Sequence, residues 1–260
     1  MTDTHTHIDD PKLSALLPDI LRNISEGKPE FIINNASDRK STESAFSLAR
    51  QYPGIYAALG CHPHTATQYD DEFAARISQL AAFPEVVAVG EIGLDYYYDF
   101  TERAVQKKVF ALQLELAAKL GLPVCLHVRD AYEDACSILK EHAGTFPGGV
   151  MHCYSGSAEM AVKFCELGLY FGFGGPVTYK NAAKDKVIAR LPKERILTET
   201  DCPYLTPAKK RGEVNRPEYV SYVTETIAAF WGESVSETEK IVRENALRLF
   251  PKIKYKTDMC

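Results

Sequence analysis

The sequence predicts an α/β protein folded as a (β/α)8 TIM barrel, and three observations predict it. Eight short apolar runs recur along the 260 residues, longer helix-patterned stretches separate them, and chemically potent residues stand at the C-terminal ends of the runs. Near-continuous hydrophobic runs suit parallel strands covered by helices, and eight such units in this length close a barrel. The expected strands are Thr4–Ile8, Phe31–Asn35, Ile55–Gly60, Val86–Gly90, Val124–Val128, Gly149–Cys153, Leu169–Phe173 and Ile196–Thr200. A doubly wound open sheet is the competing architecture, and the placement of the polar residues separates the two.

Helical patterning fills the gaps. The stretch from Thr101 to Leu120 puts Val105, Val109, Leu112 and Leu116 on one face, Gly121 stops it, and Pro123 opens the next strand. Ser236 with Glu239 reads as a capping box for a final amphipathic helix through Ile241, Leu247 and Phe250. A polar loop rich in Lys, Arg and Pro lies between the last strand and Pro217. No linker, repeat or low-complexity segment divides the chain, so one domain over 1–260 is expected.

The bulk numbers remove several classes of function. A formal charge of −5 argues against a protein that coats nucleic acid by net charge, while leaving room for a local basic patch. No apolar run approaches the ~18–20 residues needed to span a bilayer, so no membrane partner is expected. No signal peptide precedes the first motif, which begins at Asp3. The seven cysteines (61, 125, 136, 153, 165, 202 and 260) are scattered and never spaced as CxxC, which indicates neither a disulfide framework nor a zinc ribbon. A reducing, cytoplasmic location is the expectation, with a monomer favoured.

Six of the seven histidines fall at the ends of expected strands. His5 and His7 are two apart on the first strand and share one face. His62 and His64 follow the third strand, Glu91 ends the fourth, His127 the fifth and His152 the sixth, and Asp201 follows the eighth. In a parallel barrel the C-terminal strand ends meet at one mouth. Four imidazoles and two carboxylates would converge there, a donor set that suits Zn²⁺ or Mn²⁺ and tolerates Mg²⁺ less naturally. Taken singly, each residue has a blander reading: a hydrogen-bonded histidine, a turn-initiating aspartate, a loop-capping glutamate. Their coincidence at one end of a barrel predicts a metal-dependent hydrolase.

The segments Asp3-Thr-His5-Thr-His7, Gly60-Cys-His-Pro-His64, Gly90-Glu-Ile-Gly-Leu-Asp-Tyr96, His127-Val-Arg-Asp130, His152-Cys-Tyr-Ser-Gly156 and Glu199-Thr-Asp-Cys-Pro-Tyr204 together resemble the TatD family over almost the whole chain. That family comprises metal-dependent deoxyribonucleases on an amidohydrolase-related barrel. The resemblance implies two divalent metal ions (Mg, Mn or Zn). It places His5, His7, Glu91 and Asp201 around one and Glu91, His127 and His152 around the other, with Glu91 bridging. It also implies a DNA substrate, attacked from the 3′ end of a single strand. The loop after the eighth strand departs from the family pattern: it reads Val214-Asn-Arg-Pro217 where Arg-Asn-Glu-Pro is frequent. Substrate contacts from that loop therefore do not transfer in detail.

Within this scheme Asp201 touches a metal and receives a proton from the attacking water. His62, and less directly His64, are expected to contact the scissile phosphate from outside the metal shell. Arg129 is a candidate phosphate clamp or an ordinary ion-pair partner. Lys209, Lys210 and Arg211 form the one basic run in the loop beyond Asp201. Tyr96, Tyr97, Tyr98 and Phe100 offer rings either for base stacking or for loop packing, as does Tyr154 with Ser155. Glu199 shares a strand face with Asp201 and is expected to support it. Two rival functions remain at this stage: hydrolysis of a small-molecule amide, ester or lactone on the same scaffold, and non-enzymatic binding of a phosphorylated ligand or partner.

Overall fold

The computed structural model describes residues 1–253; Cys260 and the last residues of the expected domain lie outside the described residues. Within them, the chain runs β1 (Thr2–Thr6), α1 (Leu17–Ser25), β2 (Phe31–Asn35), α2 (Arg39–Gln51), β3 (Ile55–Leu59), α3 (Asp71–Ala81), β4 (Val86–Asp95) and α4 (Arg103–Leu120). It continues through β5 (Val124–Arg129), α5 (Tyr132–Glu141), β6 (Gly149–Met151), α6 (Ala158–Glu166), β7 (Tyr170–Phe173), α7 (Lys184–Ile188), β8 (Ile196–Thr198), α8 (Val220–Trp231) and α9 (Val235–Leu249). The strands form one sheet in chain order, each parallel to the next. β1 and β8 meet at a seam: Thr4 Oγ1 donates to Thr198 O, Thr198 Oγ1 to Thr2 O, His7 N to Cys202 O and Asp201 N to His5 O. The result is the (β/α)8 TIM barrel that the alternation predicts.

The two-residue period of a strand explains where core and site lie. Ile33, Ala58, Cys125, Val150 and Leu197 form one buried cluster inside the barrel, and Leu247, Phe250 and Ile253 of the α9 region close its floor. Two residues further along the same strand faces stand His127, His152 and Glu199. The chain at β5, β6 and β8 thus reads apolar at the floor and ionisable at the mouth. The alternate phase (Ile32, Ala57, Leu126, Phe171) packs outward against the helices.

Several boundaries differ from expectation. β4 runs on to Asp95, so Glu91 lies within the strand and does not end it; the register against β5 shifts between Val89 and Ile92, and the Gly90–Glu91 peptide is cis. β6 and β8 end two residues early, and the backbone takes positive φ just beyond them at Cys153 (42°) and Asp201 (58°). In α4 the buried stripe is Gln106, Val109, Phe110, Gln113, Leu114, Leu116 and Ala117, leaving Leu112 exposed. The stripe is rotated because two glutamines serve the mouth: Gln106 brackets the backbone N and O of Asp95, and Gln113 those of Cys61. The last helix is capped by Ser234, which accepts from Glu237 N; Ser236 lies inside its first turn, so the expected Ser236–Glu239 box does not form. Among the described residues no helix is long and apolar enough to cross a membrane.

Candidate metal centre

The mouth of the barrel holds a cavity of about 890 Å³ whose floor is Glu91 with its ring of histidines. The two oxygens of Glu91 look in different directions. Oε2 lies 3.5 Å from His5 Nε2 and 3.7 Å from His7 Nε2. Oε1 lies 3.0 Å from His127 Nδ1, 3.9 Å from His152 Nε2 and 3.9 Å from His62 Nε2. Asp201 Oδ1 sits on the opposite side, 3.4 Å from His7, 3.7 Å from His152 and 3.9 Å from His5. The ligand atoms of His5, His7 and Glu91 lie close enough together to hold one cation, as do those of Glu91, His127 and His152, and those of His5, His152 and Asp201. Imidazole nitrogens converging with carboxylate oxygens fit a borderline divalent cation.

The electrostatics are those of a set of donors sharing protons. Burial alone would raise Glu91, but the surrounding His5, His62 and His127 rings hold its carboxyl well below the ordinary range. Asp201 is likewise lowered against its burial by His152 and His7. Burial works to lower His7 and His152, yet Asp201 lifts the first to about 9, and Glu199 with Asp201 lifts the second to about 10. The two carboxylates are therefore ionised at neutral pH, with His7 and His152 holding protons beside Asp201, while burial keeps His5 and His62 low.

Small residues make the room. A Cβ on Gly90 would come within 2.6 Å of Cys125 Cβ, and one on Gly172 within 2.1 Å of Glu199 Oε2. That second gap admits a buried carboxylate whose Oε1 lies 2.9 Å from His152 Nδ1 and accepts from Cys153 N. Glu199 thus orients His152. The expected partnership with Asp201 is not what the side chain makes, because β8 ends at Thr198, before both residues, and Asp201 turns with φ 58°.

Asp95 is the residue that sequence reasoning passed over. It is fully buried, and its Oδ2 accepts from His127 Nε2 and His64 Nε2, both at 2.9 Å. Its Oδ1 accepts from the backbone of Tyr97 and Tyr98. Holding His127 by Nε2 leaves Nδ1 to face Glu91. Its signals were a place in the Gly90–Tyr96 segment that carries the resemblance and a position four residues after Glu91, which a strand ending at Gly90 conceals.

The remaining candidates divide. His62 accepts from His64 N through Nδ1 (3.1 Å), so the proton of its neutral ring sits on Nε2, toward the cavity. Its ring stays neutral because burial and the neighbouring His127 push its pKa well below the usual value. His64 lines the cavity, but its Nε2 is committed to Asp95. Arg129 lines the cavity over the rings of Tyr97 and Tyr98. Tyr154 is buried with its hydroxyl donating to Ser157 O. The basic run is placed elsewhere: Lys209 pairs with Glu225, Lys210 with Glu213, and Arg211 lines a separate pocket with Tyr179 and Asn181. Those lysines point away because acidic partners on α8 and its approach claim them. Lys40 and Lys184, which nothing in their sequence context marked, line the cavity instead.

Comparison with known proteins agrees with this geometry. The pattern of the TatD related DNase family matches residues 2–251. A relative in Bacillus subtilis, described as the uncharacterized metal-dependent hydrolase YabD, is 43% identical over 249 residues, covering 95% of this chain and 98% of the relative. The 3′-5′ ssDNA/RNA exonuclease TatD of Cronobacter sakazakii is 36% identical over 239 residues, 90% of either chain. The crystal structure of YjjV, a TatD homolog from Escherichia coli K12, superposes with a TM-score of 0.89 at 34% identity, covering 96% of this chain and 98% of that one. The chain is a metal-dependent hydrolase and belongs to the TatD related DNase family.

Proposed function

We propose that this hydrolase is a nuclease that cuts phosphodiester bonds from the 3′ end of single-stranded DNA, using two divalent cations. The observation that carries the reading is Glu91, whose two oxygens face two separate histidine groups beneath a cavity lined by Lys40, Arg129 and Lys184. His5, His7, Glu91 and Asp201 would hold one cation and Glu91, His127 and His152 the other. When bound, the cations supply Lewis-acid polarisation of the phosphoryl group and make water acidic enough to yield a proton near neutrality. Asp201, an ionised carboxylate 3.4 Å from His7 and 3.7 Å from His152, would serve as the proton acceptor for the attacking water. His62 donates its Nε2 proton to a non-bridging phosphate oxygen, since its other nitrogen is occupied. The single-strand polarity comes from the Cronobacter relative's described activity.

The test is hydrolysis of end-labelled single-stranded and duplex DNA by protein loaded with Mg²⁺, Mn²⁺ or Zn²⁺. The expected result is stepwise release from a 3′ label on the single strand, abolished by chelator and restored by cation. Absence of cleavage on any oligonucleotide by a metal-loaded sample would refute the nuclease reading, leaving a small-molecule hydrolase. Salt sharpens the test, because affinity for a phosphate chain falls as salt rises. Lys184→Ala should reduce the slope of log affinity against log salt by about one, whereas Lys209→Ala leaves it unchanged. Equal slopes in the two variants would remove Lys184 from the substrate path.

A further inference from the structure

We propose that Tyr98, Phe100 and Arg129 form a nucleobase subsite at the rim of the cavity, which stacks one unpaired base and neutralises the phosphate beside it. This inference rests on the nuclease reading above. The loop after β4 exposes three large rings, Tyr97 at 58%, Tyr98 at 48% and Phe100 at 70% of full accessibility, while Tyr96 turns inward, its hydroxyl donating to Asp134. Tyr98 and Phe100 both line the cavity, and their rings lie nearly parallel, 5.3 Å apart between centroids at 21°.

The ledge is built, not floppy. The Tyr97 and Tyr98 amides donate to Asp95 Oδ1 at 3.0 and 2.9 Å. The His64 ring meets Tyr98 and Phe100 edge-on at 5.3 and 4.9 Å, and Thr101 Oγ1 donates to His64 O. One buried carboxylate, Asp95, therefore fixes both the ledge and His127, which sets the ledge's position relative to the metal ligands.

Beside the rings lies a cation without an anion. The Arg129 guanidinium sits 3.9 Å from the Tyr97 centroid and 4.9 Å from that of Tyr98, and among the described residues no carboxylate pairs with it. Exposed ring faces next to an unpaired guanidinium match a base and its phosphate, and every base offers a π-face, so the subsite would accept any sequence. A base can reach it only after leaving a duplex stack, which confines binding to unpaired ends.

The experiment compares two single-stranded oligonucleotides of the same sequence, one intact and one with abasic residues at its last three 3′ positions. The protein is wild type or carries Tyr98→Leu with Phe100→Leu. Turnover is measured with Mn²⁺, and Kd by fluorescence anisotropy in chelator. Wild-type protein should favour the intact strand by roughly tenfold in both KM and Kd. The variant should lose that preference, its KM for the intact strand rising to the abasic value while kcat changes less than about twofold. Retained discrimination in the variant, or an equal loss on both strands, would overturn the subsite. Should the double variant melt early, Phe100→Leu alone carries the same comparison. If wild-type protein neither cuts nor binds either strand, the nuclease reading falls and takes the subsite with it. Cleavage with unchanged discrimination removes the subsite alone.

Discussion

Replacing Glu91 with glutamine is expected to leave a folded barrel that hydrolyses at least about 100-fold more slowly and retains little metal. The side chain is buried, and the amide is nearly the same size, so packing around it survives. What changes is that one of two acceptor oxygens becomes a donor, facing either the His5–His7 pair or the His127–His152 pair. Loss of a partner that merely orients a metal ligand costs 10–100-fold, and Glu91 stands directly between two sets of donors. The measurements are turnover, metal content by elemental analysis and far-ultraviolet circular dichroism on one preparation. Wild-type turnover with wild-type metal content would end the assignment of Glu91 as the bridge.

Gly93→Ala should act through the backbone and be felt at both stability and site. A Cβ there would stand 2.0 Å from the carbonyl oxygen of His127, and the residue already has φ +142°. Overpacking costs typically 1–3 kcal/mol and a left-handed side-chain-bearing residue a further 1–3. A total of about 2–6 kcal/mol is a large share of the 5–15 kcal/mol that holds a domain together. The strain falls on the β5 residue whose ring bridges Glu91 and Asp95, so any folded fraction should bind metal more weakly. Urea denaturation checks the first effect and metal titration the second; an unchanged midpoint would mean that β5 moves aside at no cost.

The barrel was legible in the sequence because buried parallel strands are marked by apolar runs and their ends by ionisable residues. Metal-site candidates were legible for the same reason: His127, His152 and Asp201 each follow an apolar run. What escaped was whatever depends on residues meeting across strands. Asp95 shares hydrogen bonds with two histidines from β5 and the loop after β3, a relation no local pattern encodes. Glu199 was expected to share a strand face with Asp201, but β8 ends before both and Glu199 reaches His152 instead, through space left by Gly172 on β7. The basic run after Asp201 was conspicuous in the sequence yet tied to Glu213 and Glu225, while Lys184, isolated in the sequence, reaches the cavity.

The seam between β1 and β8 has a consequence for how the protein is made. Asp3 accepts from Thr200 N and Oγ1 across 197 positions of chain, and the same seam sets His5 and His7 beside Asp201. During translation the two histidines emerge first and Asp201 follows roughly 10–40 s later at ordinary rates of synthesis. Until then the nascent chain carries the histidines of the site without the carboxylate that faces them across the seam. Closure of the Asp201 corner of the ring is thus a late event that waits for β8, whereas the Glu91, His127 and His152 group is already in the chain by then.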